Sequence, residues 1–115
     1  MTSPFVGLLD ELARQRGVRG GLVVSERDGL VIDAHVHLGV RSAVVAALAA
    51  SIYRKARMSA EAAGLGGVTY VELAAEHGRL CMAGRDDLVL VVVTDARATA
   101  GRLRAVLLRQ LEALA

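Results

Sequence analysis

Residues 20–36 have the sequence GGLVVSERDGLVIDAHV, and this stretch decides the fold. Residues 20–25 form a short apolar run, and residues 30–36 alternate between apolar and polar side chains. The residues between them end in Asp28-Gly29, a pair that tolerates positive φ angles and favours a tight hairpin turn. The stretch therefore predicts two antiparallel strands, and its alternation places the second at a half-exposed sheet edge.

Helical periodicity predicts three helices around this hairpin. The first is expected to begin at Ser3-Pro4. A serine hydroxyl can cap a helix N-terminus, and proline is tolerated at the first helical position because it has no N–H to leave unpaired. The side chains expected on its inner face are Phe5, Leu8, Leu9 and Leu12. The longest helix is expected over residues 41–63, and Asp95 is expected to cap the last helix.

Three further strands are expected between the second and third helices, over residues 68–75, 79–83 and 88–93. The last of these is apolar on both faces, which is typical of a central strand. The element order is α-β-β-α-β-β-β-α. It predicts a single α+β domain over residues 1–115, with a five-stranded, mostly antiparallel sheet covered by helices on both faces.

The amino-acid composition and the chain length exclude several classes of protein. The chain has 115 residues, of which 54% are hydrophobic and 3% aromatic, so the core must be aliphatic. An eightfold α/β barrel needs about 200 residues or more and is excluded by length. The longest apolar run, residues 43–50, is too short for a membrane span. With no signal peptide and only one cysteine, the chain is expected to be cytoplasmic.

Nucleic acid is not an expected partner. The net charge is +2, and the basic residues are dispersed along the chain without aromatic residues that could stack on bases.

One local motif suggests metal chemistry. Residues 31–38, VIDAHVHL, are similar to the His-x-His segment that opens metal-dependent amidohydrolases, and Asp33, His35 and His37 would share one face of a strand. Those enzymes carry further ligands on later strands, whereas this chain offers only His77 in a predicted turn. We therefore predict no metal, and a site at Asp33, His35 and His37 is the weakest alternative.

Other catalytic patterns are missing. The glycine-rich residues 64–67 follow a helix and precede a strand, which is the reverse of the order in a phosphate-binding loop. Cys81 lies in the middle of a predicted strand and is expected to be a core thiol. We predict no catalytic residue and no cofactor, and we expect that the protein is not an enzyme.

The long helix has two distinct stripes when its residues are placed 100° apart. The stripe expected to face the sheet contains Val45, Leu48, Ala49, Ile52 and Ala56. The opposite stripe contains Ala47, Ala50, Arg54, Arg57, Met58 and Glu61. Its small and charged side chains suit another helix or a partner protein, and they equally suit plain solvent exposure.

With the element order in place, three stretches resemble the Roadblock (dynein light-chain-like) family. They are residues 17–31, residues 79–94 and residues 100–104, in which Gly101 is expected to let the last helix approach the sheet. The resemblance covers residues 3–114 and lies in the ordered combination rather than in one motif. The polar face of Asp33, His35 and His37 departs from the family pattern.

The resemblance implies a homodimer that binds or scaffolds a Ras-like small GTPase. Dimers of this family pair their third strands edge to edge and pack their second helices together. Some members stimulate GTP hydrolysis without donating a catalytic side chain. The dimer residues expected here are Ala47, Ala50, Thr69, Tyr70, Val71 and Glu72. The residues expected to contact the GTPase are Arg54, Arg57, Met58 and Glu61.

A small-molecule sensor with a PAS-like or profilin-like fold is the alternative, because such domains share this size and a similar sheet. A sensor pocket usually combines convergent polar groups with an apolar, often aromatic wall. One Phe and two Tyr offer little for such a wall. The sequence therefore favours the interaction module.

Overall fold

The computed structural model describes residues 3–114 and confirms the predicted order of elements. The sheet order is β2-β1-β5-β4-β3, and all neighbouring strands are antiparallel. β5 lies at the centre and β2 at an edge, as their patterns predicted. The bounds are α1 (Val6–Ala13), β1 (Val18–Ser25), β2 (Val31–Val36), α2 (Ser42–Ala62), β3 (Val71–Ala75), β4 (Gly78–Arg85), β5 (Leu88–Asp95) and α3 (Ala100–Glu112).

The two faces of the sheet form two separate cores. On one face, α1 and α3 pack against the strands through residues such as Leu12, Val23 and Leu107. On the other face, α2 alone packs against residues such as Leu22 and Met82. Burying each of these large side chains contributes roughly 1.5–3 kcal/mol, so both layers stabilise the sheet.

The β1–β2 hairpin forms as predicted, with Gly29 at a φ of +70° in its turn. Its second strand differs in one respect. Val23 pairs with Asp33 while the next residue, Val24, pairs with Val31, so Ile32 is an extra residue in a bulge. Leu30 and Ile32 are therefore exposed, whereas Ala34 and Val36 pack against the core beneath α2.

The start of β3 and the cap of α3 differ from the predictions. β3 begins at Val71 rather than at residue 68, and the Tyr70 ring just before it packs toward α3, where the Arg104 guanidinium lies 5.7 Å from its centroid. Asp95 does not cap α3. Its Oδ1 accepts the Arg97 N–H at 2.8 Å in the turn after β5, and Thr99 occupies the N-cap position.

Gly101 does not bring α3 closer to the sheet, contrary to expectation. A Cβ built at this position would meet no atom within 4 Å, so the glycine faces open space. None of the helices within residues 3–114 combines the length and apolar character that crossing a bilayer requires.

Candidate protein-interaction surface

The face of α2 that lies on the sheet is built from three alanines and one tyrosine. Its buried side chains are Ala46, Ala49, Ala50 and Tyr53. The stripe predicted from the sequence was therefore wrong at Leu48, which is 58% exposed, and at Ala50, which is 1% exposed. Alanine lets the helix approach the β1–β2 turn closely, and this close packing outweighs the burial of the larger Leu48 side chain.

Several apolar side chains remain on the outer side of α2. Val44, Leu48 and Met58 are all exposed, and their spacing of four and then ten residues places them along one face of the helix. Ala47, a predicted dimer residue, is also exposed. An apolar row of this kind on a solvent-facing helix is typical of a surface that another protein covers.

Arg54 and Arg57 anchor α2 to the β1–β2 turn. Arg54 Nη2 donates to the backbone carbonyls of Glu26 and Arg27, and Arg57 Nε donates to Glu26 Oε1 at 3.1 Å. Glu26 is only 8% exposed, and its hydrogen bonds raise the pKa of Arg57 above the usual value. These two predicted partner residues thus have a role within the fold and are held in fixed positions.

The Tyr53 hydroxyl links α2 to the sheet. Its hydroxyl accepts the Gly84 N–H at 2.9 Å and donates to the Val68 carbonyl at 3.3 Å. Burial raises the pKa of Tyr53, so the hydroxyl keeps the proton it donates. One side chain therefore joins α2 to the end of β4 and to the segment that leads into β3.

β3 is the second edge of the sheet. It pairs with β4 on one side, with Val71 opposite Met82 and Leu73 opposite Leu80, and no strand within residues 3–114 pairs with its other side. Val71 packs into the core beneath α2, and Leu73 lies on the same face and is 43% exposed. Leu73 therefore lies on the sheet face that α2 covers, next to the free edge.

The opposite face of β3 carries a polar cluster. Glu72 Oε1 accepts the Tyr70 hydroxyl at 3.0 Å, and Glu72 Oε2 lies 3.6 Å from Arg79 Nε. Cys81 is fully buried next to them, which confirms it as a core thiol. Burial raises the pKa values of both Cys81 and Tyr70. The cluster therefore stiffens the edge strand and offers no reactive thiolate at neutral pH.

The polar side chains of β2 do not assemble into a metal site. His35 Nδ1 lies 3.1 Å from Asp10 Oδ1 of α1, and Asp33 Oδ1 accepts the Ala34 N–H at 2.8 Å. Within residues 3–114, no three His, Cys, Asp or Glu side chains lie together in a group that could hold a metal ion. The alternative site at Asp33, His35 and His37 therefore has no support from the geometry.

A five-stranded antiparallel sheet with two helices on one face and one on the other, in this order, defines the Roadblock fold. The family model described as "Roadblock/LC7 domain" matches residues 5–94, and the chain belongs to this family. Among curated relatives, uncharacterized protein MJ0714 of Methanocaldococcus jannaschii is 35% identical over 97 residues, which cover 84% of this chain and 81% of the relative. Uncharacterized protein MJ1340 of the same organism is 32% identical over 105 residues and 91% of each chain.

Solved structures share the fold. A Roadblock/LC7 domain from Streptomyces avermitilis superposes with a TM-score of 0.87 at 22% identity, covering 97% of this chain and 95% of that one. MglB of Myxococcus xanthus gives 0.83 at 18% identity, covering 97% and 94%. A structure described as MglB with tetrameric arrangement gives 0.85 at 24% identity, covering 99% and 89%. The predicted resemblance is thereby confirmed.

Proposed function

We propose that this protein is a non-catalytic, dimeric interaction module that binds a Ras-like small GTPase. The observation that carries the proposal is the unpaired β3 edge, and the exposed apolar side chains of α2 support it. The family resemblance supplies the class of partner. The exposed side chains of α2 support the proposed place of partner contact.

The unpaired backbone groups of the free β3 edge support the proposed dimer. An unpaired strand presents a row of backbone N–H and C=O groups, and natural proteins cover or block such edges. A second copy pairing β3 with β3 would join the two sheets into one and cover Leu73 by symmetry. The residues proposed for this interface are Val71 and Glu72 of β3, Thr69 and Tyr70 just before the strand, and Ala47 of α2. Ala50 contributes only by letting α2 lie close to the turn.

The GTPase would contact the two neighbouring α2 helices through Arg54, Arg57, Met58 and Glu61. Glu26 holds the two arginines in place before binding, which lowers the entropic cost of ordering them in a complex. Met58 is exposed and flexible, a property that suits contact with an apolar partner surface. Arginine is also enriched at protein interfaces, since its planar group both stacks and donates hydrogen bonds.

The same contacts argue against a donated catalytic side chain. An arginine finger must reach freely into the phosphate site of the GTPase. Arg54 and Arg57 are instead bonded to the β1–β2 turn of their own chain. Any effect on GTP hydrolysis would therefore come from reshaping the GTPase.

Calorimetry against the Ras-like small GTPases of the source organism tests the proposal, with each GTPase loaded in turn with GDP and with a non-hydrolysable GTP analogue. Binding to the parent protein is expected, and Met58→Asp should weaken it at least about tenfold, which corresponds to about 1.4 kcal/mol. Leu65→Asp is the matched control, because Leu65 is an exposed apolar residue beyond the end of α2. Absence of binding in both nucleotide states, or equal binding by Met58→Asp, would contradict the proposal.

A further inference from the structure

A cleft lies between the C-terminal end of α1 and the N-terminal end of α3, on the face of the sheet opposite α2. Its volume is about 340 Å³. The residues that line it are Arg14, Gln15, Arg16, Thr99, Arg102 and Leu103. It shares no residue with the surface proposed to bind the GTPase.

The charge in the cleft is positive. Three guanidinium groups line it and no carboxylate does. The carboxylate of Glu11 is paired with Arg14, and this pairing lowers the pKa of Glu11. Within residues 3–114, Arg16 and Arg102 form no ion pair. Two unneutralised cations from distant parts of the chain thus face one concave surface.

The cleft also leaves hydrogen-bond donors unused. The side chain of Thr99 makes no cap on α3, and the first turn of α3 contains no acidic residue. The first backbone N–H groups of a helix have no acceptor within the helix, so those of α3 remain available. Gly101 leaves the space beside them open, since a Cβ there would meet nothing within 4 Å.

We propose that this cleft binds the phosphoryl group of a small anionic ligand. Guanidinium groups match phosphate oxygens with paired, charge-assisted hydrogen bonds. Thr99 and Arg102 line the cleft, so the Thr99 hydroxyl and the backbone N–H of Arg102 can add neutral donors. The volume lies at the lower end of small-molecule sites. No aromatic side chain lines the cleft, so it recognises the phosphoryl part and does not stack on a base.

Titration with pyrophosphate, followed by the amide NMR signals of Gly101 and Arg102, tests this site at constant ionic strength. Saturable shifts are expected with pyrophosphate and not with sodium chloride. The variant Arg16→Gln with Arg102→Gln should bind at least about tenfold more weakly. The control Arg27→Gln with Arg85→Gln removes the same charge from two exposed arginines at the other end of β1, and its affinity should be unchanged.

A second variant separates binding from stability. Thr99→Asp places a carboxylate at the N-cap of α3, which should stabilise the helix while blocking the anion. The expected result is a higher melting temperature with weaker pyrophosphate binding. Shifts that do not saturate, or that persist equally in the Arg16→Gln, Arg102→Gln variant, would overturn the proposal.

The source of the phosphoryl group is distinguished by sedimentation with vesicles. Parent protein that sediments with phosphatidylinositol phosphate in phosphatidylcholine, and not with phosphatidylcholine alone, takes a lipid headgroup. Parent protein that binds pyrophosphate and stays in the supernatant takes a soluble phosphate ester. Both results support the site. Failure of both probes contradicts it, and neither probe reports on binding of the GTPase.

Discussion

The Tyr53 ring occupies the space that a side chain at Gly84 would need. The Gly84 N–H donates to the Tyr53 hydroxyl at 2.9 Å, and a Cβ built at Gly84 would lie 2.6 Å from Cε2 of the ring. The distance between the sheet and α2, which carries the proposed partner surface, therefore depends on the absence of a side chain at Gly84.

Removing the Tyr53 hydroxyl should destabilise the fold. Tyr53→Phe leaves the Gly84 N–H and the Val68 carbonyl without their partner, and we expect a loss of about 1–2 kcal/mol in the free energy of unfolding. Denaturant unfolding measures it. Tyr70→Phe is the control, since the partner of its hydroxyl is the solvent-accessible side chain of Glu72, so the loss should matter less. Equal stability of Tyr53→Phe and the parent would show that these two bonds do not hold α2.

Two glycines should respond in opposite directions to alanine. Gly84→Ala forces its Cβ into the buried Tyr53 ring and should cost roughly 1–3 kcal/mol, a typical figure for overpacking. Gly101→Ala meets open space inside a helix and should stabilise the protein by up to about 1 kcal/mol. Thermal unfolding of both variants gives the comparison. If Gly101→Ala were the more harmful of the two, the described packing at these positions would be wrong.

Cys81 should resist thiol reagents in the native state. Burial raises its pKa, so the reactive thiolate is scarcer at any pH below that value than for a free cysteine. Labelling by a disulfide reagent at pH 8 should be slower by at least about two orders of magnitude in native than in urea-unfolded protein, because it requires local opening. Similar rates in the two states would place the thiol at the surface.

Local patterns predicted the sheet well. The structures of the Asp28-Gly29 turn and of β5 are each decided by residues that are close in sequence, and both form as expected. The rotation of α2 was predicted wrongly because alanine and larger apolar residues occur all around that helix. Packing against the β1–β2 turn, which no local pattern encodes, decides that Ala50 is inside and Leu48 outside.

Features that depend on contacts between distant segments could not be predicted from the sequence. The edge position of β2 was predicted from alternation, whereas the bonds from Arg54 and Arg57 to Glu26 join segments about thirty residues apart and need the folded chain. The basic cleft was missed altogether. Its arginines are dispersed in sequence, and only the packing of α1 beside α3 brings them together.

Pairing of two β3 edges is tested most directly by light scattering of the purified protein across the micromolar range. The chain mass is 12.1 kDa, and the parent is expected at twice this mass. Leu73→Lys places a charge where the second copy would cover Leu73 and should shift the protein to the monomer. Leu38→Lys alters an exposed leucine before α2 and should leave the dimer intact. A parent protein that stays at 12.1 kDa at high micromolar concentration would contradict the proposed assembly.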